Sequence, residues 1–201
     1  MLHINIVCVG KIKENFFREA ILEYSKRLSR FCNLTITELP DEKIPEKAST
    51  AQEEEVKEKE GLNIINHLKK DSYIIALDLK GKQMDSVDFS KKIDSLSFTN
   101  SNITFIIGGS LGLSSKVLAN CNELICFSKM TFPHQLIRIF LLEQLYRGFK
   151  ISNNAFILRG TGQWYVTHFQ SHNSHRITKF LWLEGTSRDR LVQQPCQSKV
   201  S

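Results

Sequence analysis

The chain has 201 residues, 24% of them charged and 41% hydrophobic, with five cysteines and a formal net charge of +6. That length can bury one good core, or one domain with an appendage, and the composition is ordinary for a soluble globular protein. No apolar run approaches the roughly 20 residues that cross a bilayer, and Met1–Gly10 is too short and lacks a small-residue cleavage site for a secretion signal.

The cysteines (Cys8, Cys32, Cys121, Cys126 and Cys196) form no C-x-x-C pair, and four fall in or beside apolar segments. This predicts reduced thiols in a cytoplasmic protein, with neither a disulfide framework nor a metal site. The charge is uneven. From Ala155 onward, Arg159, Arg176, Lys179, Arg188, Arg190 and Lys199 face only Glu184 and Asp189, so this tail carries +4 and residues 1–154 only +2. A pI near 9.1 points toward a nucleic-acid partner, but most of that signal comes from the tail.

In chain order, Ile4–Val9 is a nearly continuous apolar run ending at Gly10, as in a buried parallel strand. Glu14–Ser29 carries a helical stripe of Phe16, Phe17, Ile21, Tyr24 and Leu28. A second strand, Leu34–Leu39, stops at Pro40-Asp41. Ala51–Leu68 is a helix whose EEEVKEKE run reads as a solvated face with i,i+4 pairs. Tyr73–Leu79 is a third strand, turning at Gly81-Lys82, and Ser86, a plausible N-cap, opens the next helix. A fourth strand, Ile103–Ile107, runs into Gly108-Gly109-Ser110-Leu111-Gly112. A short helix (Ser114–Ala119) and a fifth strand (Glu123–Phe127) follow. After a loop over Ser128–Phe132, Pro133 begins the last helix, to Lys150, with Leu136, Ile137, Phe140, Leu141, Leu145 and Phe149 on its buried face. Alternating strands and helices predict an α/β fold with a mostly parallel sheet and flanking helices.

Four groups of residues could carry chemistry. The glycines at 108, 109 and 112 follow a buried strand, where backbone can approach a ligand; they lack dinucleotide and P-loop spacing, and a tight structural turn explains them equally well. Phe127-Ser128-Lys129-Met130-Thr131-Phe132-Pro133-His134-Gln135 precedes a helix N-terminus, with His134 either capping or catalytic. The helix group Arg138…Glu143-Gln144…Tyr146-Arg147 is the third: Glu143 and Arg147 can form an ion pair, or Arg147 can face a phosphate or base. The strand ending Leu77-Asp78-Leu79-Lys80-Gly81-Lys82 is the fourth. In a parallel sheet, the ends at Leu77, Gly108 and Phe127 share one edge and make a plausible pocket.

Several segments together resemble one family. They are Val9-Gly10-Lys11-Ile12-Lys13, Leu39-Pro40-Asp41-Glu42-Lys43, Lys57-Glu58-Lys59-Glu60-Gly61, Leu77…Gly81-Lys82, Phe105…Gly112-Leu113, Phe127…Gln135 and Glu143-Gln144…Tyr146-Arg147. Residues 1–154 resemble the RlmH family, the large-subunit rRNA pseudouridine N3-methyltransferases of the SPOUT superfamily. The resemblance implies a homodimer with a trefoil knot in its C-terminal half. It also implies S-adenosylmethionine bound at Leu77, Gly108, Phe127, Ser128, Lys129, Met130, Thr131 and Phe132. The implied substrate is a pseudouridine of 23S rRNA in the 70S ribosome, with Arg147 and His134 as the catalytic candidates. Family members end in a short tail with a Tyr-His pair, which 155–201 does not resemble; Tyr165…His168 has the wrong spacing. This predicts a non-family extension, partly disordered from Gly185, with Trp164–Val166 and Phe180–Leu183 as possible strands. Cofactor binding and dimerisation then survive while catalysis is weakened or lost. The alternatives are an inactive ribosome- or cofactor-binding homologue, a SPOUT enzyme with another RNA target, and a flavodoxin-type nucleotide-binding protein.

Overall fold

A computed structural model of the chain describes residues 1–45 and 47–153. Strands and helices alternate through them: β1 (His3–Val9), α1 (Asn15–Leu28), β2 (Asn33–Leu39), α2 (Thr50–Asn66), β3 (Tyr73–Lys82), α3 (Ser86–Thr99), β4 (Asn102–Ile107), α4 (Ser115–Ala119), β5 (Glu123–Ile125) and α5 (His134–Ser152). The strands form one sheet in the order β2-β1-β4-β3-β5, every neighbouring pair parallel. This is the α/β architecture expected from the alternation. The expectations for Trp164–Val166, Phe180–Leu183, Gly185 onward and Cys196 lie outside the described residues.

The apolar runs read as buried strands because both faces of the sheet are covered. Side chains alternate across the pleat, so Ile4, Ile6 and Cys8 of β1 join Ile103, Phe105 and Ile107 of β4 on one face. There they meet Leu28 of α1, Phe89 and Ile93 of α3, and Leu141, Leu142 and Leu145 of α5. Val7, Val9, Ala76 and Ile106 face the other way, onto Ile64 of α2 and Val117 of α4. Each such fully buried side chain contributes about 1.5–3 kcal/mol. Cys8, Cys32 and Cys126 are buried and Cys121 is half-buried, all as free thiols.

Three local expectations are corrected. Strand β3 runs to Lys82 rather than Leu79, because Leu77 and Lys82 both pair with Ile125 across a register shift. Gly81 permits that closure: a Cβ there would fall 2.5 Å from the Ile125 backbone. Strand β5 ends at Ile125 rather than Phe127, since the Cys126 thiol turns to the Ser128 carbonyl at 3.0 Å and the loop begins. Asp85, not Ser86, caps α3; its carboxylate accepts the Asp88 N–H at 2.7 Å, and Ser86 donates to Gln144 Oε1 at 2.7 Å. Of the residues expected on the buried face of α5, Leu141 and Leu145 are fully buried and Leu136, Ile137, Phe140 and Phe149 partly so.

Candidate functional site

With every strand parallel, the carboxyl ends gather on one edge of the sheet. The register pairs Leu77 with Ile107 on one side and Ile125 on the other, so Leu77, Gly108 and the start of the 127–133 loop are level on adjacent strands. The three sequence-predicted cofactor segments are therefore brought together.

The turn after β4 is closed by the Gly112 N–H on the Gly109 carbonyl at 3.2 Å. Gly112 has φ +81°, and a Cβ there would meet nothing within 4 Å, so this part of the turn presents bare backbone to open space. Gly109 is required from the other side, because its Cβ would stand 2.8 Å from Glu60 Oε2. Glu60, only 6% exposed, also accepts the Glu42 N–H at 3.1 Å and thereby joins the β2–α2 turn to the glycine turn. Burial, helped by the nearby Asp41 and Glu42 charges, pushes its carboxyl above the ordinary value. Glu60 sits in the EEEVKEKE run that sequence reasoning assigned to solvent. Lys57–Glu54 and Lys59–Glu55 do pair on that surface, but Glu60 does not belong to it. The available signal was Gly61, which lets α2 approach Ser114 closely.

In the 127–133 loop the two aromatic residues are turned into the protein. Phe127 packs edge-on against Phe89 with ring centroids 6.5 Å apart, and Phe132 packs edge-on against Phe140 at 5.5 Å. Ser128 Oγ accepts the Met130 N–H at 3.0 Å. Lys129, Met130 and Thr131 are exposed, Met130 by 70%. Contact with a ligand from Phe127 and Phe132 would therefore come from backbone, while Lys129, Met130 and Thr131 between them are open to solvent.

The loop starts at β5, the outer strand, yet His134 at its far end lies against Gly10 at the end of β1. A Cβ on Gly10, where φ is +85°, would fall 2.8 Å from His134 Nε2. Residues 127–133 thus cross the ends of β3 and β4, three strand spacings or about 14 Å. Seven residues can reach roughly 23 Å, so the crossing leaves slack for a curved path. His134 is half-buried. Burial, the Arg138 charge and Lys13 lower its pKa against the opposing pull of Asp41, so the imidazole is neutral at neutral pH.

Arg138, one turn further along α5, opens the Arg138…Arg147 group read from the sequence, but no role of its own was assigned to it there. It is 1% exposed and donates to Glu38 Oε1 at 2.7 Å, to the Val9 carbonyl at 2.8 Å and to the Gly10 carbonyl. Its helical register with Leu141, Leu142 and Leu145 was the signal that it points inward.

Arg147 is not brought to the loops in the same way. It lies thirteen residues beyond His134, about 20 Å along the helix axis. Its guanidinium pairs with Glu143 Oε1 at 2.7 Å, both side chains being less than one-fifth exposed. Tyr24 of α1 borders this pair, its hydroxyl pKa raised by burial and by Glu143. Arg27 covers both the Tyr24 and Tyr146 rings at 5.7 Å.

The model of the predicted SPOUT methyltransferase family matches residues 2–156. The chain belongs to the SPOUT methyltransferase family. It is 59% identical over 151 residues to the ribosomal RNA large subunit methyltransferase H of Clostridium beijerinckii, covering 75% of this chain and 95% of that protein. The proteins of the same name from Clostridium tetani (55% over 153 residues, 76% and 96% covered) and Clostridium botulinum strain 657 (57% over 151 residues, 75% and 95%) are similarly related. This SPOUT chain is a methyltransferase, and such an enzyme needs a methyl donor. Among the described residues no group of His, Cys, Asp or Glu could hold a metal ion, and no helix is long and apolar enough to cross a membrane.

Proposed function

We propose that this chain is an S-adenosylmethionine-dependent, homodimeric, cytoplasmic enzyme that methylates N3 of a pseudouridine in 23S rRNA of the assembled 70S ribosome. The observation that carries this reading is the alignment of Leu77, Gly108 and the 127–132 loop on one edge of the parallel sheet. The relatives' shared name, large-subunit rRNA methyltransferase, supports the substrate class. The family's trefoil knot belongs to the same reading.

The residues fit the cofactor. Bare backbone at Gly112 opens onto free space, and the 127–132 loop has its aromatic side chains packed away, leaving main-chain groups to take an adenine and an amino-acid moiety. When bound, S-adenosylmethionine supplies an electrophilic methyl on a sulfonium. The chain's task is to hold N3 in line with that methyl and to accommodate the proton that leaves N3. His134, a neutral imidazole beside the loop, lines the site and can accept a hydrogen bond. Arg147 orients the base or a phosphate as a fixed cation; its place about 20 Å along α5 from His134 suits service to the site of a second copy.

The 155–201 segment favours a second reading, a homologue that binds cofactor or ribosome without turnover, because the family match ends at residue 156 and this segment lacks the expected Tyr-His ending. Mass spectrometry of 23S rRNA from cells lacking the endogenous enzyme, with and without this chain, tests both. The N3 methyl is expected to return, weakly. Its absence in a chain that binds S-adenosylmethionine or ribosomes supports the second reading, and its absence in a chain that binds neither defeats both.

A further inference from the structure

We propose that Arg138 is a positioning residue for the cofactor loop: its buried guanidinium latches the first turn of α5 to the ends of β1 and β2, and so sets the path of residues 127–133. The inference rests on the cofactor reading above and adds a residue to it.

The 127–133 segment has little structure of its own. Its described polar contacts are local, with the Met130 N–H on Ser128 Oγ and the Cys126 thiol on the Ser128 carbonyl. Its near end is fixed by β5, whose Cys126 N–H reaches the Lys82 carbonyl at 3.1 Å. Its far end is fixed by what holds α5. Pro133 caps that helix without a side-chain hydrogen bond, so the cap residue itself provides no anchor. Arg138 provides it, with donors on Glu38, Val9 and Gly10.

The latch extends beyond one side chain. Glu38 Oε1 also accepts the Ile12 N–H at 3.2 Å, Arg18 donates twice to the Ile12 carbonyl, and Gln135 Oε1 accepts the Lys13 N–H at 3.2 Å. The β1–α1 loop and the start of α5 are therefore one hydrogen-bonded unit, with His134 seated on Gly10 between them.

Stability alone does not account for an arginine here. Its Nε–H has no hydrogen-bond partner among the described residues, and a buried donor left unmet is costly. Well-packed apolar side chains often replace buried ion pairs at no loss of stability. What an apolar residue cannot do is grip two carbonyls and a carboxylate from three directions, and that grip fixes the loop.

The test uses the full chain with Arg138→Met, Arg138→Lys and Glu38→Gln. Calorimetric titration with S-adenosylmethionine is set beside the thermal melt and amide exchange at Ile12, Lys13, Leu136 and Ile137. Arg138→Met is expected to weaken cofactor binding at least about tenfold, the scale of one lost charge-assisted hydrogen bond. Arg138→Lys, which keeps the charge but not the fork, should fall between it and the unaltered chain, and Glu38→Gln should have the smallest effect. Exchange should accelerate at those four amides and not across the sheet. Affinity within about twofold of the unaltered chain in folded Arg138→Lys and Arg138→Met overturns the proposal. So does a loss that merely follows the melting temperature. If Arg138→Met does not fold, the other two variants decide by the same criteria. If the unaltered chain gives no heat with S-adenosylmethionine, the cofactor reading falls. The latch is then judged on exchange alone, standing if acceleration is confined to those amides and overturned if it is uniform or absent.

Discussion

The two ends of α5 use arginine in opposite ways. Arg138, near the start, is sealed from solvent and spent on backbone carbonyls and Glu38. Arg147, near the end, keeps 17% of its side chain exposed and is steadied by a carboxylate on its own helix. The first is committed to architecture. The second is held in place by an acidic neighbour on the same helix, with only a small part of its side chain at the surface. One helix thus joins the loop proposed to take the cofactor to the residue proposed to meet the RNA.

The largest effects are expected where the far end meets the unmatched tail. Replacing residues 155–201 with the short Tyr-His ending that the family resemblance implies should raise rRNA methylation by about a hundredfold, the scale of one well-placed catalytic group. A chain that already matches a normal relative's rate would contradict that. In the chain so restored, Arg147→Ala should lower turnover by about a hundredfold while S-adenosylmethionine affinity holds. A parallel loss of affinity would erase the distinction between the two arginines.

At the near end, Gly10→Ala combines a left-handed backbone with a 2.8 Å approach to His134 and should cost about 2–4 kcal/mol in urea denaturation. Gly112→Ala has the same backbone strain but open space, and should cost only about 1 kcal/mol. Equal costs would show that His134 does not rest on Gly10.

The smallest effect concerns Glu60. A carboxyl whose pKa is raised on folding favours the folded state fully at acid pH and loses that advantage as pH rises through the raised value. Glu60 therefore favours the fold less at neutral than at acid pH. Glu60→Gln should raise the melting temperature at pH 7–8 and gain nothing near pH 4; a gain at acid pH would contradict the assignment.

Much of this was legible in the residues. Ile4–Val9 and Ile103–Ile107 betrayed buried parallel strands by their length and lack of alternation, and Gly108 and Pro133 marked where the chain leaves the sheet and enters α5. Leu77, Gly108 and Phe127 follow from parallel topology once the strands are known. Glu60 and Arg138 were hidden because a charge in a helix counts toward solvent until its partner is seen. The partner of Arg138 is a hundred residues away. The extension of β3 to Lys82 was hidden for a similar reason, since it depends on Gly81 lying against the backbone of Ile125.

Three strand ends on one edge of the sheet are proposed to make a single cofactor site. Ultraviolet crosslinking of methyl-labelled S-adenosylmethionine to the full chain, with the labelled peptides mapped by mass spectrometry, tests it most directly. Label is expected in the peptide bearing residues 127–132, with any further label confined to those bearing Leu77 or Gly108, and is expected to be lost when excess S-adenosylhomocysteine competes. Competable label confined to peptides elsewhere in the chain, or no competable label at all, would contradict it.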